Sequence, residues 1–323
     1  MKKFIVITTI FEPGEAIEKF SQQDDYTLVV VGDNKTPKDW HFDNTVFLPI
    51  TEQVNGSSKF LLALPQNHYC RKMVGYLYAI KNGADVIAES DDDNIPYQGW
   101  DFPNFYGNYD MAEPNQGIIN IYNFFTTQKI WPRGLPLNKI LSSVNTNTYK
   151  SYVNVGVWQA LADQDPDVDA VYRLTSNQPC VFEKRNPVIL PSSTYAPFNT
   201  QNTATCKELF PLLYLPSHVT FRFTDILRGI VAQPIMNKAG YCLGFTQATV
   251  FQKRNDHDYS RDFESEIPMY LQVEKALEIA KECSKTGVSV SNNLFDVYCG
   301  LEKAGIVNTR ELEILELWLK EIN

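Results

Sequence analysis

Two short apolar runs near the N-terminus constrain the fold more than any other feature. Residues 4–10 (FIVITTI) and 27–33 (TLVVVGD) are rich in β-branched side chains, and between them Ala16, Ile17 and Phe20 recur at helical spacing. Near-continuous apolar strands joined by a helix are the βαβ opening of a parallel sheet buried on both faces. The fold class read from this is α/β, a mixed sheet flanked by helices. Asp33 follows the second strand, at the carboxyl edge where open α/β sheets bind ligands. With 323 residues, 44% of them hydrophobic, the chain is long enough to bury a substantial core.

Further elements follow in order. Residues 46–50 read as a third strand. Residues 68–82 read as a helix with Val74, Leu77 and Ile80 on one face and Gly83 placed to end it. Arg71 and Lys72 lie in its first turn, where cations oppose the helix dipole unless an anion sits nearby. A strand over 85–90 runs into Asp91, Asp92, Asp93 and Asn94, and Pro96 ends it. Residues 100–149, rich in aromatic residues and Asn, read as irregular loops around short strands such as 117–125. A helix over 224–233 is expected to stop at Pro234, and 241–251 is an apolar stretch. Beyond it, residues 268–283 and 294–303 have helical spacing. Asn308 is placed to cap a last helix carrying Leu312, Leu315, Leu319 and Ile322. The expected division is a body over 1–262 and a helical appendage over 263–323. Docking of the appendage on the body is favoured over a homo-oligomer formed through it.

Charge and cysteine usage exclude several classes. With 29 basic and 38 acidic residues, a net charge of -9 and a pI near 5.1, the chain is a poor binder of a nucleic-acid backbone. No run approaches the ~20 apolar residues of a membrane span, and residues 4–10 are too short for a secretory h-region. The six cysteines have no C-x-x-C spacing and read as mostly buried free thiols. A cytoplasmic, soluble protein is the expectation.

Three clusters could carry chemistry. Three carboxylates at a strand end repel one another unless a cation or hydrogen-bond donors offset the charge, and Asp91-x-Asp93 supplies hard oxygen ligands suited to Mg2+ or Mn2+. An EF-hand is excluded, because neither the Gly at loop position six nor the Glu at position twelve follows Asp91. Asp225, in the first turn of its helix and three residues before Arg228, is a candidate general base, although an acidic residue there also suits the helix dipole. In the segment from Lys253 to Asp258, His257 lies between two Asp residues as a candidate third metal ligand, and Arg254 is placed to meet phosphate oxygens.

Residues 71–94 (RKMVGYLYAIKNGADVIAESDDDN) resemble the R-K-x-x-G-Y-L-x-A-I-x-x-G-A segment and acidic cluster of the STELLO family of glycosyltransferases. TPKDW at 36–40, WPRGLPL at 131–137, PDVDAVY at 166–172 and TDILRG at 224–229 agree in order and spacing. The likeness covers roughly residues 1–260 and leaves the C-terminal helices without a counterpart. It implies a GT-A-like, nucleotide-sugar-binding fold with Asp91 and Asp93 as metal and nucleotide contacts. Family members carrying a membrane anchor and further domains differ from the soluble, stand-alone form expected here.

The expected function is metal-dependent transfer of a sugar from a nucleoside-diphosphate sugar, a UDP-sugar favoured, to a hydroxyl acceptor such as a glycan, with inversion. Asp33, Thr36 and Lys38 would contact the nucleoside, and Asp91, Asp92 and Asp93 the ribose and metal. Arg71 and Arg254 would meet the diphosphate, and Arg133 either the diphosphate or the acidic cluster. Trp131, Asp167, Asp169 and Arg228 are expected on the acceptor side, with turn capping as the alternative for the two Asp residues. Two other readings stay open: a mutase or self-glycosylating protein of the same nucleotide-sugar class, and a catalytically silent scaffold.

Overall fold

The structure is a computed structural model describing residues 1–55, 58–254 and 258–322. Its strands are β1 (Lys3–Thr9), β2 (Tyr26–Gly32), β3 (Thr45–Leu48), β4 (Val86–Ser90), β5 (Asn94–Pro96), β6 (Tyr106–Ala112), β7 (Gly117–Ile118), β8 (Thr148–Asp163), β9 (Val188–Ile189), β10 (Thr194–Tyr195), β11 (Asn202–Cys206) and β12 (Cys242–Gln252). Among the described residues, ten of them form one sheet in the order β3-β2-β1-β4-β11-β8-β6-β9-β12-β5, while β7 and β10 pair separately. β1 runs parallel to β2 and β4, whereas β11 is antiparallel to β4. The mixed α/β sheet expected from the sequence is therefore present, with the parallel βαβ opening at one side.

The helices are α1 (Glu15–Ser21), α2 (Ile50–Val54), α3 (Lys59–Ala63), α4 (Lys72–Lys81), α5 (Ala170–Thr175), α6 (Thr224–Lys238), α7 (Tyr259–Cys283), α8 (Val290–Lys303) and α9 (Thr309–Ile322). They cover both faces of the sheet, and the period of two along β1 shows how: Phe4 and Val6 enter one apolar core with α4, α6 and the C-terminal helices, Ile5 and Ile7 the other with α1 and Trp100. α4 lies close to the strands because residue 75 is glycine. A β-carbon there would collide with Val6 and Val31.

Several elements depart from the sequence reading. β8 is a 16-residue strand in a stretch where the sequence reading assigns no element, and it pairs with β6, β11 and β12. Within residues 100–149, the strand expected over 117–125 is only the two-residue β7, followed by a 3-10 turn over Ile121–Phe124, and the longer strand is β6. α6 continues through Pro234 to Lys238, and α7 starts at Tyr259 with Pro268 inside it. In each case a buried face holds the helix together across the hydrogen bond that proline cannot donate. Asn308 does cap α9, its Oδ1 accepting from the Glu311 N–H at 3.0 Å.

The last three helices are docked on the body. Trp318 is fully buried, stacks at a tilt on Phe60 with 5.4 Å between ring centroids, and donates to the Pro211 carbonyl at 3.1 Å. Buried Glu311 accepts from the backbone N–H groups of Ser217 and His218 at 2.9 and 2.7 Å. The cysteines are all free, with Cys70, Cys180 and Cys206 buried. Among the described residues no helix is long and apolar enough to cross a membrane.

Candidate functional site

The carboxyl ends of β1, β2 and β4 and the end of β12 open onto one cavity of about 410 Å3. Its centre is the turn between β4 and β5. β4 is buried throughout, and the Asn94 N–H returns to the Asp91 carbonyl at 3.2 Å, so Asp91, Asp92 and Asp93 occupy the turn itself. Asp91 Oδ1 accepts from the Tyr69 hydroxyl and from Lys72 Nζ, both at 2.9 Å. The Lys72 side chain is fully buried. Asp92 Oδ2 accepts from Thr9 Oγ1 at 2.5 Å, and Asp93 Oδ2 from Gln252 Nε2 at 2.9 Å. The second oxygen of Asp93, Oδ1, is buried and has no hydrogen-bond partner among the described residues.

Burial dominates the electrostatics of this turn. It pushes the Asp92 carboxyl up to about 6 and, with the like charge of Asp91 beside it, Asp93 up to about 7. Among the described residues no group of three or more His, Cys, Asp or Glu side chains is arranged to hold a metal ion. Mg2+, however, keeps several waters and needs only one or two protein carboxylates when phosphate supplies the rest. An orphaned buried acceptor on Asp93 beside the half-exposed carboxylate of Asp91 fits such an ion.

Across the cavity, Arg133 joins two more acids. Its Nε and Nη2 donate to Asp167 at 2.9 Å each, and Nη1 and Nη2 donate to Asp225 at 2.8 Å each. Asn199 Nδ2 also donates to Asp167, at 2.6 Å. Burial opposes the Asp167 charge, but the guanidinium outweighs it and holds the carboxyl at about 2. Asp225 sits in the first turn of α6. A β-carbon at Gly229, one turn on, would strike the Phe198 carbonyl, so glycine there lets α6 approach the loop that carries Asn199.

A family model described as STELLO glycosyltransferases matches residues 222–323. Two Arabidopsis thaliana proteins named "Probable glycosyltransferase STELLO2" and "Probable glycosyltransferase STELLO1" are each 26% identical over 344 residues, covering 99% of this chain and 44% of theirs. The chain is similar to the STELLO glycosyltransferases. It spans 44% of the length of those two relatives. Among solved structures it is similar to M. tuberculosis glucosyl-3-phosphoglycerate synthase, 11% identical with a TM-score of 0.40 over 87% of this chain and 80% of that one. A mycobacterial protein is similar at 9% identity and a TM-score of 0.39, over 87% and 74% of the two chains. The match at 222–323 corrects the sequence reading, which found no STELLO counterpart for the C-terminal helices.

Of the expected site residues, Asp33, Arg71, Asp91, Asp92, Asp93, Arg133, Asp167, Asp225 and Arg254 line the cavity. Others do not act where they were expected. Arg71, though at the rim, spends its guanidinium on Gln53 Oε1 and the Leu61 and Leu64 carbonyls, which fixes a loop and leaves little for a phosphate. Thr36 Oγ1 closes the turn after β2, accepting from Asp33 N and donating to the Thr9 carbonyl at 2.7 Å each. Lys38 is exposed outside the cavity, and Lys35 lines it instead. Arg228 is buried behind the site in a two-point ion pair with Glu89 at 3.0 and 2.7 Å, not on an acceptor face. Trp131 Nε1 donates to Asp169 Oδ2 at 2.9 Å, and Asp169 Oδ1 caps α5 through the Tyr172 N–H at 2.8 Å. That is the turn-capping alternative for Asp169. His257 lies outside the described residues.

The sequence reading missed three cavity contributions. Lys72 looks in the sequence, like Arg71, to be a helix-start cation awaiting an anion, but it is turned inward onto Asp91. Tyr69 and Gln252 donate to the acidic turn from segments 22 and 159 residues away. The one signal available was charge balance: an acidic triplet at a buried strand end requires donors.

Proposed function

We propose that this chain transfers a sugar from a nucleoside-diphosphate sugar to a hydroxyl acceptor, with a divalent cation and inversion at the anomeric carbon, in a GT-A-like fold. The observation that carries this reading is the acidic turn: three carboxylates converge in a cavity at the carboxyl edge of a βαβ unit, and one buried oxygen has no donor among the described residues. Asp33 and Lys35 would face the nucleoside. Asp91 and Asp93 would hold the cation, which when bound neutralises charge growing on the departing diphosphate. The acceptor oxygen forms its bond to the anomeric carbon as the carbon–phosphate-oxygen bond breaks. The bonding pair leaves with the nucleoside diphosphate, and the acceptor proton passes to Asp225. Arg133 is a positioning residue that fixes the orientation of that carboxylate.

The direct test is a thermal-shift panel of UDP, GDP, CDP and their sugars with Mn2+ or Mg2+, followed by product analysis. At least one nucleotide should raise the melting temperature only when the cation is present. A flat response to the whole panel would remove the reading.

Asp93→Ala should weaken cation-assisted nucleotide binding by about 10–100-fold or more, as calorimetry would measure. The acidity of the turn adds a pH signature. With Asp93 at about 7 when folded against a reference of 3.8, the folded protein holds a proton that the unfolded chain has released. This contribution to stability is therefore full at acid pH and is lost as pH rises toward 7. The cation-free protein should show that loss, Mg2+ should stabilise more at pH 8 than at pH 5.5, and Asp93→Asn should flatten both trends. Equal Mg2+ stabilisation at the two pH values would contradict the assignment.

A further inference from the structure

In the wall of the cavity an arginine is buried, and among the described residues two of its donor atoms have no hydrogen-bond partner. Arg254 follows β12, whose end is tied to the acidic turn through Gln252 and through the Lys253 N–H, which donates to the Asp93 carbonyl at 2.9 Å. Its side chain is 7% exposed and lines the cavity, yet among the described residues Nε and Nη2 have no hydrogen-bond partner. Its ion-pair partner Asp262 lies 3.6 Å from Nη2, too far for a good hydrogen bond, and is shared with Arg222 at 4.0 Å. Burial first, then the like charges of Arg222 and Arg173, push the Arg254 pKa down. Asp262, Asp165 and Asp167 partly offset this, and the two donor atoms without hydrogen bonds remain open to an incoming anion. Arg133 differs: its guanidinium is saturated by Asp167 and Asp225.

We propose that Arg254 is the anion-binding residue of the acceptor site, so that the acceptor carries a phosphate or carboxylate group besides its reacting hydroxyl. This rests on the transferase reading above. The planar guanidinium fork matches either oxyanion with two parallel hydrogen bonds. Arg254 stands beside Asp93, whose carboxyl its charge lowers, and it shares Asp262 with Arg222, whose carbonyl accepts from the Arg133 guanidinium that holds Asp225. That link to Asp225 favours the acceptor over the donor's diphosphate. Arg254 and Asp225 line one cavity of about 410 Å3, so an anion on the first and a hydroxyl at the second belong to one small molecule or one chain end. The expectation that Arg254 meets the donor's diphosphate becomes the competing outcome.

The experiment titrates inorganic phosphate, and separately acetate, into the full chain with and without saturating UDP and Mg2+, or whichever nucleotide the panel selects. At least one of the two anions should bind the nucleotide-loaded protein about as well as the free protein. Arg254→Gln should weaken that binding about tenfold or more while leaving nucleotide affinity within about threefold. Arg254→Lys keeps the charge but loses the fork, and should fall between the two, which guards against a glutamine variant that fails to fold. Competition between anion and nucleotide, or a variant that loses nucleotide affinity in parallel, would assign Arg254 to the donor and overturn the proposal. So would anion binding indifferent to both substitutions, or none at all. If no nucleotide binds but anion binding still depends on Arg254, the transferase reading fails, and the acceptor assignment with it, while the anion site stands.

Discussion

Asp225→Asn is expected to lower transfer by about 10²–10⁴-fold while leaving nucleotide affinity unchanged, the range typical for loss of a general base. The substitution keeps the shape of the side chain and removes its charge and proton affinity. Both Asp225 oxygens accept from Arg133, but a carboxylate has about four lone-pair sites, and those left over can take the acceptor proton. Asp167 shares the same guanidinium and the same cavity, so the two acids must be told apart. Held at about 2, Asp167 is a weak proton acceptor near neutral pH, and Asp167→Asn should cost less in rate than Asp225→Asn. The measurements are kcat/KM from product formation and nucleotide binding by calorimetry on both variants. Normal transfer by the asparagine variant at 225, or the opposite ranking of the two, would show that the base lies elsewhere.

What the sequence discloses about this molecule divides by range. The opening βαβ unit, the strand ending in Asp91 and the cap at Asn308 are written locally, in periodicities and caps a few residues long, and all three are present in the structure. Pairings between distant segments are written nowhere. The fate of Arg228 depends on Glu89, 139 residues earlier, and that of Arg71 on Gln53 and on carbonyls of α3 and the residue after it. Each looks, one residue at a time, like a surface cation waiting for a ligand, a diphosphate for Arg71 and an acceptor for Arg228. β8 escapes for a related reason: its outer half alternates between exposed and half-buried, its inner half is wholly buried, and no single period spans the change. The prolines mislead in the other direction. Pro234 and Pro268 each cost a helix one hydrogen bond, and the apolar faces of α6 and α7 outweigh that loss only because the sheet and neighbouring helices are there to receive them.

Arg133→Met should destabilise the fold by about 3–5 kcal/mol, the cost of removing one partner from a buried charge network. The arginine side chain is 6% exposed and stands against two carboxylates exposed 10% and 9%. Methionine fills much of the volume but leaves Asp167 and Asp225 facing each other with no cation between them. The pH dependence identifies the cause. In the wild type, Asp167 at about 2 when folded against a reference of 3.8 contributes stability that is present above about pH 4 and lost as pH falls toward 2. Without Arg133, burial and like charge raise its carboxyl instead, so the variant should gain stability, relative to wild type, as pH falls from 7 to 4. Adding Asp225→Asn to the methionine variant should restore part of the loss by removing one of the stranded charges. Denaturant melts of wild type, single and double variants at pH 7.5 and 4.5 separate this from a packing defect. A packing defect would cost the same at both pH values and would not be relieved by the second substitution.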